Sequence, residues 1–182
     1  SIDFISEYNH GISKNAAKRD IGAASGTVDF TKTIMDAYLE GRTLIHNQAD
    51  ISEILAQRDI IVNTWEKVIA ATVIHYINDS AADMAALYPA DSTAGPLSPL
   101  VADLNKHWGE MRGYANGLLY NDFKVIPDDH LNRIYTLMGT APVYPSNGNF
   151  DDMQAYHDSL VGEVRAIFKL AYNFSDANVA NW

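Results

Sequence analysis

Apolar side chains recur along most of this chain at alternating three- and four-residue steps, the spacing that gathers them on one face of an α-helix. The clearest run extends from Asp50 to about Leu87, where Ile54, Ile61, Trp65, Val68, Thr72, His75 and Asp79 share a stripe with no Gly or Pro between them. Asp50 is placed to cap that helix, and Glu53, three residues on, would complete a capping box. Upstream, Asp29 opens a shorter helix with Phe30, Ile34, Tyr38 and Ile45 on one face. Downstream, Ser98-Pro99 offers a capping hydroxyl and a Pro at the first helical position, ahead of the stripe Leu100, Leu104, His107, Met111, Tyr114 and Leu118. A fourth helix spans about Asp128 to Met138 and is closed by Gly139, with Pro142 just beyond. The last begins near Asp151 and carries Met153, His157, Leu160, Val164, Ile167, Ala171 and Phe174.

Almost nothing reads as strand, so the expectation is an all-α fold, an antiparallel helical bundle of about five helices over residues 29–174. Residues 1–28, with Gly11, Gly22 and Gly26, read as a loop-rich opening segment holding at most one short helix. Residues 175–182 read as a polar tail ending on Trp182, and Tyr88 to Pro99 as a loop.

Composition narrows the function. Apolar residues make up 47% of the 182, enough for a core. The longest apolar stretch, Val68 to Ile77, is broken by Thr72 and His75 and falls short of the roughly 20 residues a membrane span needs. Thirteen basic against twenty-three acidic side chains leave a net charge of −10, which repels phosphate backbones; nucleic acid is not expected as a partner. The absence of cysteine removes disulfides, thiolate metal sites and thiol nucleophiles together.

Two polar pairs fall on apolar stripes. His75 and Asp79 are four apart on the long helix, and His107 and Glu110 are three apart on the next, so each pair shares a helix face. If the two helices pack together, both pairs point into one space, and two imidazoles with two carboxylates suit a divalent metal ion such as zinc or iron. Beside this stands a structural reading, in which the carboxylates only satisfy imidazole N–H groups and fix helix register. A metal-dependent hydrolase is a third reading; it would need an open coordination position and a general base. His-x-x-Glu lacks the second histidine of a zinc-protease helix, and no nucleophile elbow, phosphate loop or dinucleotide fingerprint is present, so no enzyme class is indicated. Gly109, Gly113 and Gly117 form a ridge at four-residue spacing, expected to admit a closely approaching neighbour.

Four stretches occur in fixed order: Ala17-Lys18-Arg19-Asp20-Ile21; Glu40-Gly41-Arg42; Trp65-Glu66-Lys67-Val68 running to His75-Tyr76-Ile77-Asn78; and His107-Trp108-Gly109-Glu110-Met111-Arg112-Gly113-Tyr114. Together they resemble a bacterial family, domain of unknown function 4856, whose members look like lipoproteins or secreted proteins distantly similar to the imelysin-like helical proteins. The resemblance covers about Ala16 to Phe150. It implies an extracytoplasmic protein in a bacterium, and a link to metal binding through a Gly-x-His-x-x-Glu motif. Here His107 and Glu110 match the His-x-x-Glu part, Lys106 precedes the histidine and Asn105 stands where the glycine would be. Family members look longer, with a preceding helical half. The chain opens Ser-Ile-Asp-Phe without an initiator Met, so it is expected to be a second half whose partner is the missing N-terminal half or another copy.

Overall fold

A computed structural model describes residues 11–20, 28–88, 98–146 and 149–182. Of these, 80% are helical, and none lies in a strand; the protein is an all-α helical bundle. The helices are α1 (Ile12–Arg19), α2 (Phe30–His46), α3 (Ile51–Leu87), α4 (Ser98–Gly117), α5 (Asp128–Met138), α6 (Asp151–Ser159), α7 (Arg165–Tyr172) and α8 (Asp176–Asn181). A single 3₁₀ turn, Leu118–Tyr120, follows α4, and a π-helical turn, Leu160–Val164, joins α6 to α7 without a break. None of the described helices is long and apolar enough to cross a membrane.

The long helix α3 is the axis of the fold. Between Val68 and Ile77 its small and apolar residues Ala70, Ala71, Val73 and Ile74 are inaccessible on every side, because α1, α2, α4 and α7 all pack on it. Its first three turns are different. There α3 pairs with α2 among the described residues, at a separation so small that a Cβ on Gly41 would meet Gln57 at 3.4 Å, and the two helices form a hairpin.

Helix ends follow local chemistry, with one departure. The Asp29 carboxylate accepts from the Lys32 amide at 2.8 Å, and Gly139 closes α5 with a φ of 67°. Asp50 precedes α3 as expected, but its side chain makes no capping hydrogen bond; its carbonyl accepts from the Glu53 amide instead.

Three expectations need correction. Among the described residues no helix approaches the glycine ridge: a Cβ built on Gly109, Gly113 or Gly117 meets none of them within 4 Å. The residues after Ser175 are not a loose tail. Ser175 caps α8 by accepting from the Asn178 amide, and Trp182 is 7% exposed, packed against Phe30 and Phe174 with its indole N–H donating to the Arg19 carbonyl. The buried face of the last helix also changes phase. Met153, Leu160 and Val164 are buried as expected, but Phe168 and Tyr172 follow them in place of Ile167 and Ala171. The cause is the π turn, in which the Arg165 amide donates to the Leu160 carbonyl five residues back and one extra residue is taken into the helix.

A buried carboxylate ties the core to the connection after α4. Glu66 of α3 is 2% exposed and accepts four hydrogen bonds: from the Val125 amide at 2.8 Å, the Ile126 amide at 3.2 Å, Asn121 Nδ2 at 2.7 Å and the Tyr172 hydroxyl at 2.7 Å.

Two outcomes follow for stability. Glu66→Ala strands several donors around a cavity and should cost about 3 kcal/mol or more, at about 1–3 kcal/mol for each buried donor left unpaired, read by urea denaturation. Gly113→Ala should raise stability by roughly 0.5–1 kcal/mol, the helix-propensity difference at an unobstructed position. Equal or lower thermal stability of that variant would show that something packs on the ridge.

Candidate functional site

Helix α3 carries His75, Asp79 and Asp83 at strict four-residue steps, which stacks them along one face. Helix α4 packs beside it and brings in His107. His107 Nδ1 lies 2.7 Å from Asp83 Oδ2, while its Nε2 lies 3.9 Å from Asp79 Oδ2. His75 Nε2 approaches the same Asp79 oxygen at 3.3 Å. Two imidazoles from two helices therefore converge on one carboxylate oxygen, and a second carboxylate holds the far nitrogen of one of them. All four side chains are partly open to solvent, between 17% and 34% exposed, so the cluster is a half-buried site at the surface of the bundle.

Asp83 was not anticipated, yet its signal is plain once sought: it continues the His75–Asp79 step by one more turn. Glu110, the expected fourth member, has Tyr76 of α3 as its neighbour. The Tyr76 hydroxyl is pushed up to about 12, by burial first and by the Glu110 carboxylate second. Glu110 Oε2 is buried without a hydrogen-bond partner among the described residues. Tyr76 also stacks between the rings of His107 and Tyr114, at 6.1 and 5.8 Å between centroids.

Helix α1 closes the site from the other side. Arg19 is 7% exposed, and its guanidinium faces Tyr76, Asp79 and Tyr114. Burial lowers its pKa, with these neighbours opposing, but an arginine keeps its charge under any such shift. Asn15, one turn earlier, donates to the Tyr114 hydroxyl at 2.9 Å. The end of α8 is tied in as well, because Asn78 Nδ2 donates to the Val179 and Trp182 carbonyls at 3.0 and 2.8 Å, and Arg165 Nη1 donates to Asn78 Oδ1 at 2.8 Å.

The electrostatics separate the two histidines. Burial lowers the His75 pKa most, Arg19 lowers it further, and Asp79 and the Trp182 backbone oppose both. His107 has its Nδ1 against a carboxylate, the arrangement that fixes a ring tautomer and leaves Nε2 as the free lone pair in the neutral ring. Among the described residues, no three His, Asp or Glu side chains are gathered closely enough to hold a metal ion as they stand. Of the other described histidines, His157 Nδ1 meets its neighbour Asp158 at 2.9 Å, while His46 and His130 are exposed.

A histidine whose folded pKa lies below its unfolded value favours the fold most when neutral. That stability is full above the ordinary histidine value of 6.5 and is lost as pH falls through it toward the lowered folded value. Lowering the pH from 7.5 to 5.5 should therefore reduce the melting temperature, and His75→Gln should flatten that dependence, measured by circular dichroism across the range. Compared with known proteins, the chain matches no family model, no curated protein and no solved structure.

Proposed function

We propose that this is a non-enzymatic binding protein whose His75–Asp79–His107 cluster takes a divalent cation, zinc or iron, with Asp83 holding His107 in position. The observation that carries the reading is the convergence of both Nε2 atoms on a single Asp79 oxygen, at 3.3 and 3.9 Å. With Asp83 accepting from Nδ1–H, Nε2 of His107 is turned toward Asp79, and a divalent cation between that nitrogen and the carboxylate would be held by both. A carboxylate on the outer nitrogen of a ligating histidine is also the usual supporting arrangement at protein metal sites. Asp79 is then the carboxylate ligand, and Asp83 stands behind His107. As the donors stand somewhat apart, binding has to draw the imidazoles inward. The family resemblance adds an extracytoplasmic setting to this proposal.

A structural role for the same cluster is favoured by a separate observation. The 2.7 Å contact of His107 with Asp83, and the packing of Arg19 and the end of α8 around the site, would fix the register of α1, α3 and α4 without any ligand.

Calorimetric titration of the chelator-treated protein with Zn²⁺ and with Fe²⁺ separates the two. One equivalent should bind and stabilise the fold, by about 2.7 kcal/mol at a hundredfold excess over Kd. His107→Ala should abolish the effect, and Asp83→Asn should weaken affinity by about 10–100-fold. Absence of binding together with a large loss of stability in His107→Ala would establish the structural role.

A further inference from the structure

Two apolar features away from the histidine cluster stand in solvent, one with an acidic rim and one lined by arginine. One is the connection after α4. Asn121 Nδ2 donates to Glu66 Oε2, its Oδ1 accepts from the Phe123 amide at 3.0 Å, and the Val125 and Ile126 amides donate to Glu66 Oε1. The turn is thus fastened to a buried carboxylate, with Leu118 and Ile126 as buried anchors at its two ends. Yet Tyr120 is 85% and Phe123 78% exposed, with Leu119 and Val125 beside them also outward. A turn already held in shape loses little entropy on docking, and aromatic side chains are the usual anchors of an interface. Its rim is acidic: Asp122, Asp128 and Asp129 are all exposed, and Lys124 is engaged by Asp128 at 2.8 Å.

The other feature is a groove of about 360 Å³ on the α2–α3 hairpin, lined by Tyr38, Arg42, Ile45, Ile54, Arg58 and Ile61. Its surface is almost wholly apolar, and the two arginines are the only charged side chains that line it. Arg58 shares an exposed pair with Asp59 at 2.6 Å, and Arg42 has no ion-pair partner among the described residues. Tyr38 and Ile45 are 49% and 62% exposed, so the groove leaves a substantial apolar area in water.

We infer that a second copy of the chain fills this groove: the Tyr120–Phe123 turn of one copy seats between α2 and α3 of another, with Asp122 facing Arg42. Charge selects the occupant. A chain of net charge −10 repels its own copies over most of its surface, and contact is electrostatically favourable where the acidic rim of the turn meets Arg42. The groove offers the Arg42 guanidinium beside an apolar floor, and the turn offers aromatic rings with Asp122 between them. Both halves of the contact lie on the same chain, so no other protein is required.

Sedimentation velocity on the full chain, from low micromolar to several hundred micromolar, tests the inference. Reversible association into dimers or larger species is expected. Phe123→Asp and, separately, Arg42→Glu should each weaken it by about tenfold or more. Both side chains point outward, so the melting temperature should stay unchanged and unfolding is excluded as the cause. Mixing Asp122→Arg protein with Arg42→Glu protein should restore association between the two. A monomer across the whole range, association that survives both single variants, or loss without rescue in the mixture would each overturn the proposal. A monomer that binds an unrelated acidic amphipathic helix through Arg42 would likewise reject self-docking.

Discussion

A carboxylate taken out of water must find donors for its lone pairs, and the donors Glu66 finds determine where three separate parts of the chain can lie. Two are backbone amides of the turn after α4, one is the Asn121 side chain in that same turn, and one is the hydroxyl of Tyr172 at the end of α7. Burial raises the Tyr172 pKa most, and the neighbouring Glu66 charge raises it further, so this hydroxyl remains a donor at any ordinary pH. A charge so enclosed is tolerable only with all its partners in place. The turn, α7 and the axis helix must therefore be correct together.

About thirteen ångströms along α3 from Glu66, at 1.5 Å per residue, lies the second polar cluster, around His75 and Asp79. Between the two the helix is buried on all sides by apolar and small residues. The axis thus alternates an enclosed, fully satisfied carboxylate, a dry segment, and a half-open cluster whose members are only partly engaged. The contrast matters for function. The enclosed group is saturated by four donors and has nothing left to offer a ligand. The open one presents two imidazole nitrogens and a carboxylate oxygen toward one point, with Arg19 as the nearest compensating charge.

Much of this was legible in the residues. The start and end of α3, the Asp29 cap and the closure of α5 by Gly139 all follow from local spacing, because helical periodicity is a local property. The meeting of His107 with His75 and Asp79 needed the further premise that successive helices pack together. What failed did so where one residue of phase or one direction in space decides the outcome. Glu110 is on the same helix as His107, but it meets Tyr76 of α3, while His107 meets Asp83. The glycine ridge is a real stripe, yet spacing cannot say which way a stripe points, and this one meets none of the described residues. Trp182 follows a polar run, and only tertiary packing shows that the run is a capped helix carrying the indole back onto Phe30 and Phe174.

The π turn at Leu160–Val164 has a consequence for how this helix can be altered. One residue beyond regular α-helical winding has been taken up there, and every side chain after it is displaced by about 100° around the axis relative to a continuous α-helix. Phe168 and Tyr172 face the core because of that displacement, and the Tyr172 hydroxyl reaches Glu66 for the same reason. The segment therefore behaves as an insertion that has become structural. Excising any single residue between Leu160 and Val164 would leave a more regular helix in sequence terms, and would turn its final two turns away from the carboxylate they complete.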